Sequence, residues 1–391
     1  MPEAYIVSAV RTAGGRRNGR LRDWHPVDMA ARVLEAVVAR SGIDPNVIDD
    51  VIMGCVTQAG EQAFHVGRNA VLASSLPDRI PAVTIDRQCG SSQQAIQFAA
   101  QAVLSGTQDV VIAAGVESMS RVPMGLALSA PLQQGIGTGP YTQAIFDRYG
   151  VTEITQFAGA EMIAAKHGLT RDDLDAFGFE SQQRAIAATR AGAFEAEILP
   201  LEVVTAEGAT ELHVVDEGIR FDATLEAIQS VKLVTPGGII TAATSSQICD
   251  GASAVMIVSG EALKAHGLTP IARIHAFGVT AGDPVIMLEE PIPATRHVLG
   301  KAGMTIGEID LYEVNEAFAP VPLAWLKELG ADPAKLNVNG GAIALGHPLG
   351  SSGTKLMTTL IHALKARGLR YGLQTMCEGG GIANVTIVEA L

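Results

Sequence analysis

Aromatic residues are scarce in this chain: Phe, Trp and Tyr together make up 4% of 391 residues. Cysteine is scarcer, with four copies, Cys55, Cys89, Cys249 and Cys377. They are too few and too scattered for a disulfide framework, and no Cys-x-x-Cys pair suggests zinc. Free thiols in a reducing cytoplasm are expected. Positive charge is also short. Twenty-eight Lys and Arg against 41 Asp and Glu leave a net charge of −13. That balance argues against nucleic acid and acidic membranes as partners, and an anionic substrate would need a local basic patch. No apolar run reaches the ~18 residues that suggest a membrane span. The start, Met1-Pro-Glu-Ala-Tyr-Ile-Val, runs directly into a strand pattern, so no signal or transit peptide is expected.

Small apolar residues take the place of the aromatics. Hydrophobic content is 48%, and mean hydropathy is +0.25. The length predicts two or three domains, with a core large enough to need neither disulfide nor metal. Short apolar runs alternate with amphipathic stretches. Val51-Ile-Met-Gly-Cys, Val110-Val-Ile-Ala-Ala and Ala254-Val-Met-Ile-Val-Ser read as buried strands. Val27 to Arg40, Ser91 to Leu104 and Ser352 to Ala366 read as helices. The rhythm predicts an α/β protein with a mostly parallel sheet covered on both faces.

The chain repeats itself. Gly42 before Ile48-Asp49 and a strand matches Gly303 before Ile309-Asp310 and a strand. Gly90-Ser-Ser opening a helix matches Gly350-Ser-Ser, and the strand ending at Gly115 matches the one ending at Cys377. All three pairs are 260 to 262 positions apart. Two similar halves are therefore expected, 1–120 with 245–268, and 269–391. Between them, 121–244 is first rich in Gly, Gln and Thr, then helical over Thr155 to His167 and Arg171 to Ala191. It reads as an inserted loop domain, and long insertions in compact enzymes are often functional.

Three loops carry candidate chemistry. His347 lies in Asn339-Gly-Gly-Ala-Ile-Ala-Leu-Gly-His-Pro-Leu-Gly-Ser-Ser-Gly353, among glycines that let backbone approach a ligand. Cys377 opens Cys-Glu-Gly-Gly-Gly381. Cys89 stands between a strand and a helix, where the helix N-terminus favours a thiolate and free N–H groups can hold an oxyanion. Cysteine is also a common small buried residue, so that turn alone leaves both readings open. Asn315, in Glu313-Val-Asn-Glu-Ala-Phe318, reads on its own as a helix cap.

Taken together, these motifs resemble the thiolases, the acetyl-CoA acetyltransferases and 3-ketoacyl-CoA thiolases, and the likeness spans essentially the whole chain. It implies the thiolase fold: two duplicated βαβ-type halves with mixed five-stranded sheets in αβαβα layers, plus the loop domain. It implies that Cys89 takes up the acyl group and His347 activates it. Cys377 would move the proton at the acetyl-CoA methyl carbon. Asn315 would hold a water and form one oxyanion hole with His347; the N–H groups of Cys89 and Gly379 would form the other. No cofactor is bound permanently, and coenzyme A is a co-substrate. Arg220 matches a basic residue near the nucleotide end, though a solvated surface charge reads equally well. Ser246 matches a pantetheine contact, and Met287 and Phe318 match apolar walls of the acyl tunnel. A cytoplasmic homo-oligomer, dimer or tetramer, is implied, with tetramer contacts near 125–140.

The chain departs from the family in places. Met287-Leu-Glu-Glu-Pro291 replaces Met-Gly-x-Gly-Pro. Glu378 stands where an apolar residue is usual; pointing inward it would raise Cys377, and pointing outward it would do little. Gln156 lies near the place of a His-Met pair in short-chain biosynthetic members, which favours a degradative enzyme. So do Gln93-Gln94 and the Cys-Glu-Gly-Gly ending, which look like thiolases of bacterial lipid or sterol side-chain breakdown. Ketoacyl and HMG-CoA synthases lack the second cysteine, a mere acyl-CoA carrier would lack a catalytic residue, and thiol redox pairs usually sit as Cys-x-x-Cys.

Overall fold

The computed structural model describes residues 3–205 and 207–391. The first half holds β1 (Ala4–Thr12), α1 (Pro26–Ser41), β2 (Asp50–Gly54), α2 (Val66–Ala73), β3 (Ala82–Ile85), α3 (Ser91–Leu104) and β4 (Val110–Ser118). The intervening segment contributes α4 (Gln156–His167) and α5 (Arg171–Arg190), with shorter helices and a two-stranded sheet. The chain then returns with β5 (Cys249–Ser259) and β6 (Ala272–Ala281), followed by α6 (Pro291–Ala302), β7 (Leu311–Val314) and α7 (Pro320–Leu329). It closes with α8 (Ser352–Arg367), β8 (Tyr371–Glu378) and β9 (Ile382–Ala390).

Strands β3-β2-β4-β5-β1 form one sheet and β7-β8-β9-β6 the other. A short antiparallel contact, Tyr5 with Arg273 and Ile6 with Ala272, joins their edges. The order is the same in both halves, and the sheets are mixed rather than mostly parallel as the rhythm predicts: β2 runs parallel to β3 and β4, and β7 to β8, while β4-β5, β5-β1, β8-β9 and β9-β6 are antiparallel. Helix α1 ends on left-handed Gly42 and α6 on left-handed Gly303, each leading through one 3-10 turn into a strand. This is the repeat seen in the sequence.

The second sheet has four full strands; its fifth position is a single parallel bridge between Tyr312 and Leu336. The cause is Asn337, whose φ of +42° cannot continue a strand. Its side chain takes over the pairing instead. Oδ1 accepts from Val314 N–H and Nδ2 donates to Val314 C=O, both at 2.9 Å.

Three apolar clusters make the layers. Helices α1 and α2 cover one face of the first sheet with Met29, Val33, Leu34, Val66 and Val71. Helices α6 and α7 cover the far face of the second sheet with Val298, Leu299, Val321 and Trp325. Between the sheets, α3 and α8 meet through Ala95, Ile96, Ala99, Met357, Leu360 and Leu364. Small residues on α3 allow this close approach. Gln93 and Gln97 point into the second sheet, donating to the carbonyls of Gln374 (3.1 Å) and Val385 (3.0 Å). Both central helices start at the same end, which is where the site forms. No helix among the described residues is long and apolar enough to cross a membrane.

Candidate active site

Close backbone contacts bring the three loops together. A Cβ added at Gly353 would strike Gln93 N, and one at Gly90 would strike the Glu378 carboxyl group. One added at Gly379 would sit 3.1 Å from Gln88 Oε1. The Cys89 turn therefore touches the His347 turn on one side and the 377–381 turn on the other. Thr354 N–H donates to Ser92 Oγ at 3.0 Å across the first contact. Glu117 of β4, fully buried, accepts from Val56 N–H, Thr57 N–H, Gln62 Nε2 and Gly350 N–H at 2.8–3.0 Å. It ties the His347 loop to the first sheet.

Cys89 follows Gln88, whose φ of +48° marks a sharp non-glycine turn. The residue is half-buried on the cavity wall, and loss of solvent around the sulfur pushes the thiol up to about 12, with Glu378 adding to the rise. The expectation that the helix N-terminus would favour thiolate is outweighed, because desolvation of the anion is the larger effect. The resting group is a thiol that needs a base.

His347 supplies one. Its Nδ1 lies 2.5 Å from Ser352 Oγ, and that hydroxyl donates to Pro348 C=O at 2.9 Å. The hydroxyl is thus an acceptor for Nδ1–H, which leaves Nε2 unprotonated as the acceptor of the ring. Asn315 Nδ2 donates to that Nε2 at 3.4 Å, while Asn315 Oδ1 has no partner in the chain. Burial, then the charge of Lys355, hold the imidazole down to about 3, so it is neutral at physiological pH.

Lys355 is a residue that motif reading missed. It is buried on α8 and donates to Leu345 C=O (2.6 Å) and Gly346 C=O (3.0 Å), the two carbonyls just before His347. Asp216, itself paired with Arg11, lies 4.0 Å from its ammonium. Lys355→Met removes a repulsion against the imidazolium, so the His347 titration moves to higher pH. An NMR pH titration checks this, with His347→Asn for assignment. A wild-type ring that titrates in the ordinary histidine range contradicts the burial argument.

Cys377, the last residue but one of β8, has no exposed surface and lies in one apolar cluster with Phe318, Ala317 and Met287. Burial raises its thiol well above the usual value, and the neighbouring Cys89 and Glu378 raise it further. Glu378 points inward. Gly380 and Gly381 turn the chain into β9 with φ of +89° and +75°.

A cavity of about 490 Å³ opens onto the sulfur side. Cys89, His347, Ser246, Phe318, Gln156, Arg220, Arg16 and Arg17 all line it. The three arginines supply the local positive charge that the acidic chain otherwise lacks. Arg220, Ala242 and Gln247 also border an adjoining cavity of about 360 Å³. Asn315, Cys377 and Gly379 are not among the residues that line the larger cavity. Met287, at φ +54°, packs in the apolar cluster and does not line the cavity. In the departing segment Leu288 is buried, and Glu289 pairs with Lys166 and His167 of α4, each at 2.6 Å. Glu290 lies over Gly282. Among the described residues no group of His, Cys, Asp and Glu is arranged to hold a metal ion.

The chain resembles known proteins over its whole length. Residues 4–261 match the family description "Thiolase, N-terminal domain", and residues 268–390 match "Thiolase, C-terminal domain". The chain is 52% identical over 393 residues to a steroid 3-ketoacyl-CoA thiolase of Mycobacterium tuberculosis, covering 100% of this chain and 95% of that protein. It is 41% identical over 397 residues to a 3-ketoacyl-CoA thiolase of Aeromonas salmonicida, covering all of both. The crystal structure of human mitochondrial 3-ketoacyl-CoA thiolase superposes with a TM-score of 0.89 at 36% identity, over 100% of this chain and 99% of that one. The acetyl-CoA acetyltransferase of Bacillus anthracis gives 0.91 at 36% identity, with the same coverage. The chain belongs to the thiolase family.

Proposed function

We propose that this acyltransferase cleaves 3-ketoacyl-CoA with free CoA through a thioester on Cys89, and runs the reverse Claisen condensation by the same route. The observation that carries the reading is the neutral His347, its Nε2 unprotonated, lining one cavity with the Cys89 thiol. His347 takes the Cys89 proton, and the sulfur attacks the ketone carbon. The bond between the α and β carbons breaks, leaving an acyl-Cys89 and the enolate of acetyl-CoA. Cys377 gives that enolate its proton at carbon. Cys377, left as a thiolate, takes the proton of the CoA thiol; the CoA sulfur attacks acyl-Cys89, and His347 returns its proton to the released Cys89 sulfur, which regenerates the enzyme.

The oxyanions need donors that are in place beforehand. Asn315, with its unpartnered Oδ1, holds a water that serves one hole with His347. The N–H groups of Cys89 and Gly379 serve the other. Asn315→Ala lowers kcat by ~10²–10³-fold, the usual cost of losing one such group. An unchanged kcat returns Asn315 to a structural role.

The segment 121–244 forms the CoA-binding and tetramer-forming domain, inserted between halves at 1–120 with 245–268 and at 269–391. Arg220 meets the nucleotide end of CoA, with Arg16 and Arg17 as further cations at the cavity. Ser246 contacts the pantetheine arm, Phe318 walls the acyl tunnel, and Met287 backs that wall. The protein works as a cytoplasmic homo-oligomer, and CoA is its only coenzyme, as co-substrate. Gln156 and Phe157 at the cavity support an acyl group larger than acetoacetyl. The test is CoA-dependent loss of acetoacetyl-CoA, a medium-chain 3-ketoacyl-CoA and a steroid-derived one. Preference for the larger two supports the reading. Activity confined to acetoacetyl-CoA makes the enzyme a biosynthetic thiolase, and none at all makes it a carrier.

A further inference from the structure

The mechanism above leaves Glu378 without a task. Its side chain is fully buried, and neither carboxyl oxygen has a hydrogen-bond partner. Side chains alternate along β8, so Cys377 and Glu378 leave on opposite faces. Glu378 faces the start of α3, so close that any side chain on Gly90 would collide with it. Asn384 of β9 shares that face. Its Nδ2 donates to Gly90 C=O at 3.2 Å, and its Oδ1 is unpartnered. Three acceptor oxygens without a hydrogen-bond partner thus crowd the apex of the Cys89 turn, where the Arg87 guanidinium, its Nε also unpartnered, is the one cation acting on the carboxyl group. A carboxylate is a costly occupant of such a slot, whereas a carboxylic acid supplies the missing O–H.

The charged and titratable neighbours are Cys89, Asp86 and Arg87 on the turn and Cys377 on the same strand. Glu117 also acts on Cys89, but its carboxylate is occupied by four donors. The nearest residues of α3 and β9 are uncharged: Gly90, Gln93 and Asn384.

We propose that Glu378 is a positioning residue that carries its proton at neutral pH and, by releasing it to solvent as pH rises, suppresses the reactivity of Cys89. Burial, opposed by Arg87, pushes this acid up to about 8. Below that value Cys89 ionises beside a neutral Glu378; above it Cys89 would ionise beside a carboxylate. The inference rests on Cys89 being the nucleophile.

The test is the rate of Cys89 alkylation by iodoacetamide, followed by peptide mass spectrometry across about pH 6 to 10. Wild type is compared with Glu378→Gln and with Glu378→Leu, which carries the apolar type usual in the family. Near about pH 6.5 all three react within about twofold, because wild-type Glu378 is neutral there. Above about pH 8.5 both variants react roughly tenfold faster than wild type. The wild-type curve also rises more gradually than a one-proton ionisation. A one-proton wild-type curve overturns the proposal, and so do variant curves offset from wild type by the same factor at every pH. The wild-type curve is decisive even where a variant fails to fold. Alkylation needs no turnover, so the two readings fail separately. Turnover that survives alkylation removes Cys89 as nucleophile, whereas curves indifferent to residue 378 remove only this proposal.

Discussion

Replacing Cys89 by alanine abolishes acyl transfer, lowering kcat by on the order of 10⁴-fold or more. The sulfur is the atom that bonds the acyl carbon, and alanine puts nothing in its place. Neither His347 nor a water at the Asn315 position substitutes for a soft nucleophile that also leaves readily as a thiolate. The fold survives the change. Cys89 keeps part of its surface open, and the turn around it is held by other groups: Arg87 N–H donates to Ser91 Oγ at 2.9 Å, and that hydroxyl donates to Gln88 C=O at 2.6 Å. The check is a rapid-mixing assay with matched circular dichroism. A surviving burst of acyl transfer in a folded variant places the nucleophile elsewhere.

Cys377→Ala divides the reaction in two. Acylation of Cys89 from a simple acyl-CoA donor proceeds, because that step uses His347 and the oxyanion donors. Cleavage of 3-ketoacyl-CoA falls by ~10²–10⁴-fold, since the enolate has lost its positioned acid. The thiol has no exposed surface and sits among Ala317, Phe318 and Ala383. Alanine fills that apolar slot without introducing a polar atom. Quenched-flow assays of the two half-reactions check the division. Normal cleavage by the variant rules out Cys377 as the acid, and loss of both halves together makes it structural.

Much of this was legible in the chain. Periodicity marked α1, α3, α5 and α8, and the repeated Gly42 and Gly303 both end a helix in the left-handed conformation. Glycine-rich loops singled out His347 and Cys377, since close backbone approach needs glycine and little else explains such density. Long-range packing hid the rest. Lys355 reads as an ordinary helical lysine, and only its neighbours Leu345 and Gly346 make it a support for His347. Glu117 lies inside an apolar strand pattern, while the N–H groups it receives come from 56–57 and 350. The orientation of Glu378 depended on which way β8 faced α3. The missing strand of the second sheet was invisible because one side chain, Asn337, replaces the ladder. The protonation of Cys89 went against the local signal, because enclosure by two other loops outweighs one helix terminus.

The measurement that bears most directly on the account is the site of acylation. Cys377→Ala is incubated with an acyl-CoA donor, quenched in acid, digested and weighed by mass spectrometry. The account predicts one acyl group, on the peptide containing Cys89. An acyl group on any other residue, or none on a folded variant that still binds acyl-CoA, contradicts it.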